Sequence, residues 1–191
     1  MEYVTVCEEP VDQFSKFKTH NPLQLSYENP NRHAGFTQLH IIRVRANHYD
    51  KIRQDSKKVM LMERSLYAPH IFTETMYEME IIHEFEKDYL LDESCTVINE
   101  HMRDKAPVAV DSIFFLDTNI DVCKSRIARR SRPGEEGISD RYLKSLKGHY
   151  ETYLQDVIDC GKTVVRSDPN DTESIEEDLF TFIHDIVNKY V

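Results

Sequence analysis

Four short apolar runs punctuate the chain, at residues 3–7, 58–62, 113–117 and 163–167, each bounded by polar or turn-forming residues. Their brevity and their flanks predict β-strands. Between them apolar positions recur at three- and four-residue steps, the period of a helix that buries one face. Residues 36–49 carry Leu39, Ile42 and Ala46 on one stripe, 71–91 is long and mixed, a further helix covers part of 93–102, and 120–130 follows the third strand. Over 140–158 the stripe is Leu143, Leu146, Tyr150, Tyr153, Leu154 and Val157, with Gly161 as the C-terminal stop. Over 172–190 it is Ile175, Leu179, Phe182, Ile183 and Ile186, with Asp171 as the cap. Strands alternating with helices predict an α/β fold, a three-layer arrangement with a parallel sheet between helices on both faces. No repeat, low-complexity tract or linker interrupts it, so residues 1–191 read as one domain.

Charge narrows the function. With 34 acidic against 24 basic residues the formal charge is −10. That argues against a general grip on nucleic acid or anionic lipid, which a basic surface provides, and leaves room for a local basic pocket around one small phosphate compound. No apolar run approaches the roughly 18 residues of a spanning helix, and no signal-peptide pattern opens the chain. Cys7, Cys95, Cys123 and Cys160 lie far apart with no CxxC pair. They read as reduced thiols of an intracellular protein, and the nine histidines form no metal-binding pair.

Three constellations carry chemistry. Glu9 and the pair Glu63-Arg64 each follow a predicted strand, and the carboxyl ends of parallel strands form the usual ligand crevice. A carboxylate there can accept a hydroxyl proton, and an arginine can position it or offset developing phosphate charge; a rim salt bridge is the plainer alternative. Arg126 and Arg130 are four apart on one helix face, with Arg132 in a following loop that holds Pro133, Gly134 and Gly137. Guanidinium forks bind phosphate in pairs, although a basic helix end is also favoured by the helix dipole alone. Gln38 and Arg45, seven apart, share a helix face. Both can read a base edge, or they are ordinary polar positions of an amphipathic helix. Gly161-Lys162-Thr163 imitates the tail of a G-x4-G-K-[ST] phosphate loop. It precedes a strand and lacks the first glycine, so it cannot cradle phosphate at a helix start.

Taken together, these motifs resemble the deoxynucleoside kinase family, which includes deoxycytidine, deoxyguanosine and mitochondrial thymidine kinases. Glu9-Pro10-Val11 with Phe14 looks like the family's EPV-x-x-W segment, and Tyr27-Glu28-Asn29-Pro30-x-Arg32 like the stretch whose Tyr contacts the sugar 3′-hydroxyl. Glu63-Arg64-Ser65 is similar to the E/D-R-S motif, and Arg126, Arg130 and Arg132 to the lid arginines. Asp168-Pro169-Asn170 resembles the adenine-holding loop. The resemblance implies a P-loop kinase fold and transfer of the ATP γ-phosphate to the 5′-hydroxyl of a deoxynucleoside. Glu9 is then the base, Arg64 the positioner and Glu63 the Mg²⁺ support. Tyr27 and Glu135 (or Glu136, by a one-residue slip) hold the sugar, and Gln38 and Arg45 the base. Arg126, Arg130, Arg132 and Asp168 hold ATP. It also implies a cytoplasmic or mitochondrial enzyme, commonly a homodimer, acting on small molecules and not on nucleic acid or membrane.

There are departures from the family pattern. Phe14 and His33 stand in place of tryptophans, and Pro69 stands where base-selecting members carry Asp or Ala. The family's opening strand, G-x4-G-K-[ST] loop and helix are not among these residues. The chain is therefore expected to be N-terminally incomplete, to lack the central first strand, and to have little or no activity as it stands. Either the flanking strands close up or a slot about two strand spacings wide remains, roughly 10 Å. The alternative reading is a non-catalytic kinase-like subunit or a nucleoside-binding module.

Overall fold

Parallel pairing organises the strands. β1 (Val4–Cys7) lies beside β2 (Val59–Met62) in the register Val4↔Val59 to Cys7↔Met62, and β3 (Ser112–Leu116) lies beside β4 (Thr163–Ser167), from Ser112↔Thr163 to Leu116↔Ser167. This computed structural model describes residues 3–54, 59–101, 110–167 and 172–190. The helices are α1 (Val11–Phe14), α2 (Pro22–Glu28), α3 (Pro30–Gln54), α4 (Ala68–Glu78), α5 (Glu84–His101), α6 (Ile120–Arg130), α7 (Asp140–Asp159) and α8 (Thr172–Tyr190). The fold is α/β with parallel strands, mostly helical, as the alternation predicts.

Of the two outcomes expected for the absent central strand, the open one is found: the strands form two parallel pairs, β1–β2 and β3–β4. β2 and β3 have not closed on each other, and among the described residues no strand lies between them. What joins the pairs is helix packing. Met60 and Met62 of β2 and Ile113 and Val164 of the other pair rest on one cluster with Tyr49, Ile71, Ile98, Tyr153 and Val157 from α3, α4, α5 and α7. Ile98 and Val157 are 0% exposed, and burying such side chains stabilises by about 1.5–3 kcal/mol each. Alternation along β3 turns Phe115 towards Tyr150 of α7 and Phe114 towards Phe182 of α8, so this pair has helices on both faces. At its carboxyl end Lys147 of α7 donates to Asp117 at 2.7 Å, and Arg166 of β4 joins Asp117 to Glu151.

One expectation is corrected: residues 71–91, read as one helix, form parts of two. The chain ends α4 at Glu78, turns through Glu80 in the left-handed region (φ 56°), and restarts at Glu84. The Glu86 carboxylate accepts the His83 amide at 3.0 Å, and Asn31 of α3 donates to the Glu80 carbonyl at 3.2 Å. Local caps outweigh the weak periodicity there. Gly161 ends α7 with φ 74°, and the Lys162 amide reaches back to the Val157 carbonyl at 3.1 Å. That is a helix stop, not a phosphate loop.

Candidate active site

The parallel register sets the site. Because Cys7 pairs with Met62, the chain leaves both strands at the same end, and the Glu63 amide donates to the Cys7 carbonyl at 3.2 Å. Glu9 and Glu63-Arg64 are thereby brought to one rim. Arg64 takes the left-handed conformation (φ 60°), a strained choice for a residue with a Cβ. That corner is fixed by Ser65, whose hydroxyl accepts the Tyr67 amide at 3.1 Å and whose carbonyl accepts the Ala68 amide as α4 begins.

Glu9 is the centre of the rim. Its side chain is only 8% exposed. The Arg45 Nη2 donates to Oε1, and the Arg64 Nη1 donates to both oxygens at 2.9 Å. Arg45 comes from the middle of α3, as buried as its partner, with its guanidinium over the Phe14 ring at 5.1 Å. Burial and the neighbouring Arg64 charge pull Arg45 down to about 10, which leaves it charged at neutral pH. Arg64 is 43% exposed and lies over Phe72. Glu9, Arg45, His48, Glu63, Arg64 and Leu66 line a hollow of about 10 Å³, room for about one water. Gln38, buried on the same face of α3 as Arg45, donates to the Pro69 carbonyl at 2.7 Å.

A second carboxylate–guanidinium group lies on the segment after β3. Glu135 is 4% exposed, and Arg130 donates to its Oε2 from Nε at 3.0 Å and Nη2 at 2.7 Å. Arg132 Nη1 stands 3.9 Å from Oε1. Glu136, the one-residue alternative, is exposed and accepts its own turn's Gly134 amide at 2.7 Å. Gly134 lies against Tyr27 with φ 90°; a Cβ there would meet the Tyr27 Cβ at 2.4 Å. Tyr27 links the two groups. Burial and then Glu135 push its phenol up, while Arg130, Arg132 and Arg64 pull it down. Arg126 is exposed one turn before Arg130 on α6. Asp168 falls outside the described residues.

The sequence reading overlooked some of this neighbourhood. Burial, then Tyr27 and Tyr150, push the Tyr142 phenol up, and Arg64 opposes them; Tyr142 therefore lies within electrostatic reach of Tyr27 and Arg64. Its signal was its place one turn into α7, directly after the Ser139 cap that accepts the Tyr142 amide. Phe72, under Arg64, sits on the first turns of α4 that the Glu-Arg-Ser corner aims.

Among the described residues no three His, Cys, Asp or Glu side chains gather as a metal cage. Mg²⁺ in phosphotransfer is held by one or two carboxylates together with the substrate's own phosphates, so Glu63 in the hollow beside Glu9 fits a metal that arrives with a nucleotide. The half-exposed Arg130 and Arg132 guanidiniums fit a polyphosphate. No described helix is long and apolar enough to cross a membrane.

A family model for deoxynucleoside kinase matches residues 1–191. Human mitochondrial thymidine kinase 2 is 32% identical over 153 residues, covering 79% of this chain and 55% of that protein. Chicken deoxycytidine kinase 2 is 31% identical over 140 residues, 70% of this chain and 52% of that protein. The chain thus spans about half the length of these curated relatives. In fold it is similar to the structure of deoxyadenosine kinase from M. mycoides with bound dCTP, with a TM-score of 0.73 over 95% of this chain and 86% of that one, at 16% identity. The chain belongs to the deoxynucleoside kinase family.

Proposed function

We propose that these residues form the nucleoside-binding and lid parts of a kinase that transfers the ATP γ-phosphate to the 5′-hydroxyl of a deoxynucleoside. The observation that supports it is the nearly buried Glu9 carboxylate, held by two guanidiniums at the carboxyl ends of parallel strands beside Tyr27 and the lid. Glu9 takes the 5′-hydroxyl proton as the O5′–P bond forms and the bond from the γ-phosphorus to the bridging oxygen breaks. Arg64, exposed enough to swing, turns from Glu9 towards the transferring phosphate. Tyr27 and Glu135 hold the sugar, Gln38 meets the base, and Arg126, Arg130 and Arg132 close on the phosphates. Mg²⁺, held by Glu63, neutralises phosphate charge when bound. The hollow, about 10 Å³, has room for about one water and is far below the roughly 300–1,000 Å³ of usual ligand sites, so the nucleoside enters as Arg64 swings away and the lid lifts from Tyr27.

Calorimetry with deoxycytidine, deoxyguanosine, deoxyadenosine and thymidine tests the binding half; no uptake of any of the four would sink it. The transfer half is tested with γ-labelled ATP. The 191 residues hold no working G-x4-G-K-[ST] loop, whose amides and Lys supply most of the phosphate cradle. This polypeptide is expected to bind nucleoside and to transfer phosphate slowly or not at all. A normal rate on deoxycytidine would overturn that expectation. The same observation supports the second reading, a nucleoside-binding module or non-catalytic subunit, and ATP bound as tightly as nucleoside would refute the module.

A further inference from the structure

We infer that Arg45 positions the Glu9 carboxylate and does not read the base, so that the site discriminates the four deoxynucleosides without it. This rests on the reading above, and it departs from the expectation that Gln38 and Arg45 share the base. Seven residues of α3 separate the two side chains, about 10.5 Å along the axis, and their partners differ. Gln38 spends an amide hydrogen on the Pro69 carbonyl at 2.7 Å. Pro69 offers no carboxylate to draw a guanidinium towards Gln38. Arg45 instead donates its Nη2 to Glu9 Oε1, its guanidinium lies over Phe14 at 5.1 Å, and its Nε is buried without a partner. A guanidinium enclosed to 8% exposure, with its counter-charge in contact, stays where it is.

Arg64 differs from it. At 43% exposure it bonds both Glu9 oxygens at 2.9 Å from solvent and can leave. Oε1 is therefore shared by two donors, and Oε2 is held by Arg64 alone. When Arg64 turns to phosphate, Arg45 keeps Oε1 fixed and Oε2 faces the hydroxyl. One arginine sets the orientation of the base, and the other uncovers it.

Two measurements decide the matter. Carbon NMR follows the Glu9 carboxyl against pH in ligand-free wild type, Arg45→Met and Arg45→Lys. The midpoint rises by about 1–3 pH units in Arg45→Met, and Arg45→Lys recovers most of the difference. Arg64, Cys7, Glu8, His48 and Glu63 also line the hollow, and they are common to all three proteins, so the difference belongs to position 45. A midpoint unmoved in Arg45→Met overturns the inference. Calorimetry then compares the four deoxynucleosides. All lose affinity in Arg45→Met by one common factor and keep their order, whereas a loss of about tenfold or more confined to one base overturns it. Should wild type bind none of the four, the kinase reading fails, and the NMR titration still decides whether Arg45 holds Glu9. If Arg45→Met does not fold, nitrogen NMR of the Arg45 guanidinium takes its place. Its separate Nη resonances average together in Glu9→Gln, and resonances unmoved there overturn the inference.

Discussion

Two groups of one carboxylate and two guanidiniums stand on either side of Tyr27, and they are built in opposite ways. Around Glu9 the carboxylate and Arg45 are both enclosed, carried by the segment just after β1 and by the longest described helix, with Arg64 as the exposed member. Around Glu135 the carboxylate is enclosed, but both arginines are about half exposed, 48% and 45%. They ride on α6, which has no buried side chain, and on a turn with left-handed residues at Ser131 (φ 51°) and Gly134 (φ 90°). The same chemistry is thus anchored in one place and adjustable in the other. A group enclosed with its counter-charge resists rearrangement, whereas guanidiniums already in water exchange partners at little cost.

The sharpest way to break this contrast is to delete each carboxylate. Glu9→Ala leaves the Arg45 charge enclosed with its partner removed, which should cost about 3–5 kcal/mol in urea unfolding. A loss below about 1 kcal/mol would mean that the Glu9 group is no more anchored than the lid. Next comes Gly134→Val, which forces a β-branched residue to positive φ against Tyr27. A penalty of about 1–3 kcal/mol should fall on the lid alone, seen as faster amide exchange across α6 while exchange in β1 and α3 stays unchanged. Glu135→Gln should change global stability by about 1 kcal/mol or less, because the released guanidiniums meet solvent; the urea midpoint checks it. The smallest effect is in pH. Burial holds the His70 imidazole below its usual value, so the unfolded chain binds its proton first and stability falls as pH drops below about 6.5. The thermal midpoint should decline between about pH 7 and pH 5, less so in His70→Gln, with lid exchange following neither change.

Periodicity made much of this molecule legible. β4 and α6 fall where the apolar runs placed them, residues 163–167 and 120–130, and α7 ends one residue beyond its stripe. What escaped notice was marked by caps instead of stripes. α2 has no buried side chain, and its evidence was Asn21 followed by Pro22, where the Asn21 side chain accepts the Gln24 amide at 3.1 Å. The same blindness to caps joined α4 to α5. At the site, strand ends predicted that Glu9 and Arg64 meet, because parallel register is a one-dimensional property. Which partner Arg45 takes could not be read from spacing. A helix face says which residues are neighbours, whereas the pull of Glu9 and the absence of an acid at Pro69 depend on three elements meeting in space.

The unjoined strand pairs have a consequence for handling. β2, reading Val-Met-Leu-Met, and β3, reading Ser-Ile-Phe-Phe-Leu, each have a side that pairs with no other strand among the described residues. Bare amides and carbonyls beside apolar side chains recruit extended segments of other molecules. Concentrated solutions of this polypeptide should therefore thicken into β-rich assemblies sooner than its helical content suggests, and a short apolar peptide capping those rows should delay that clouding.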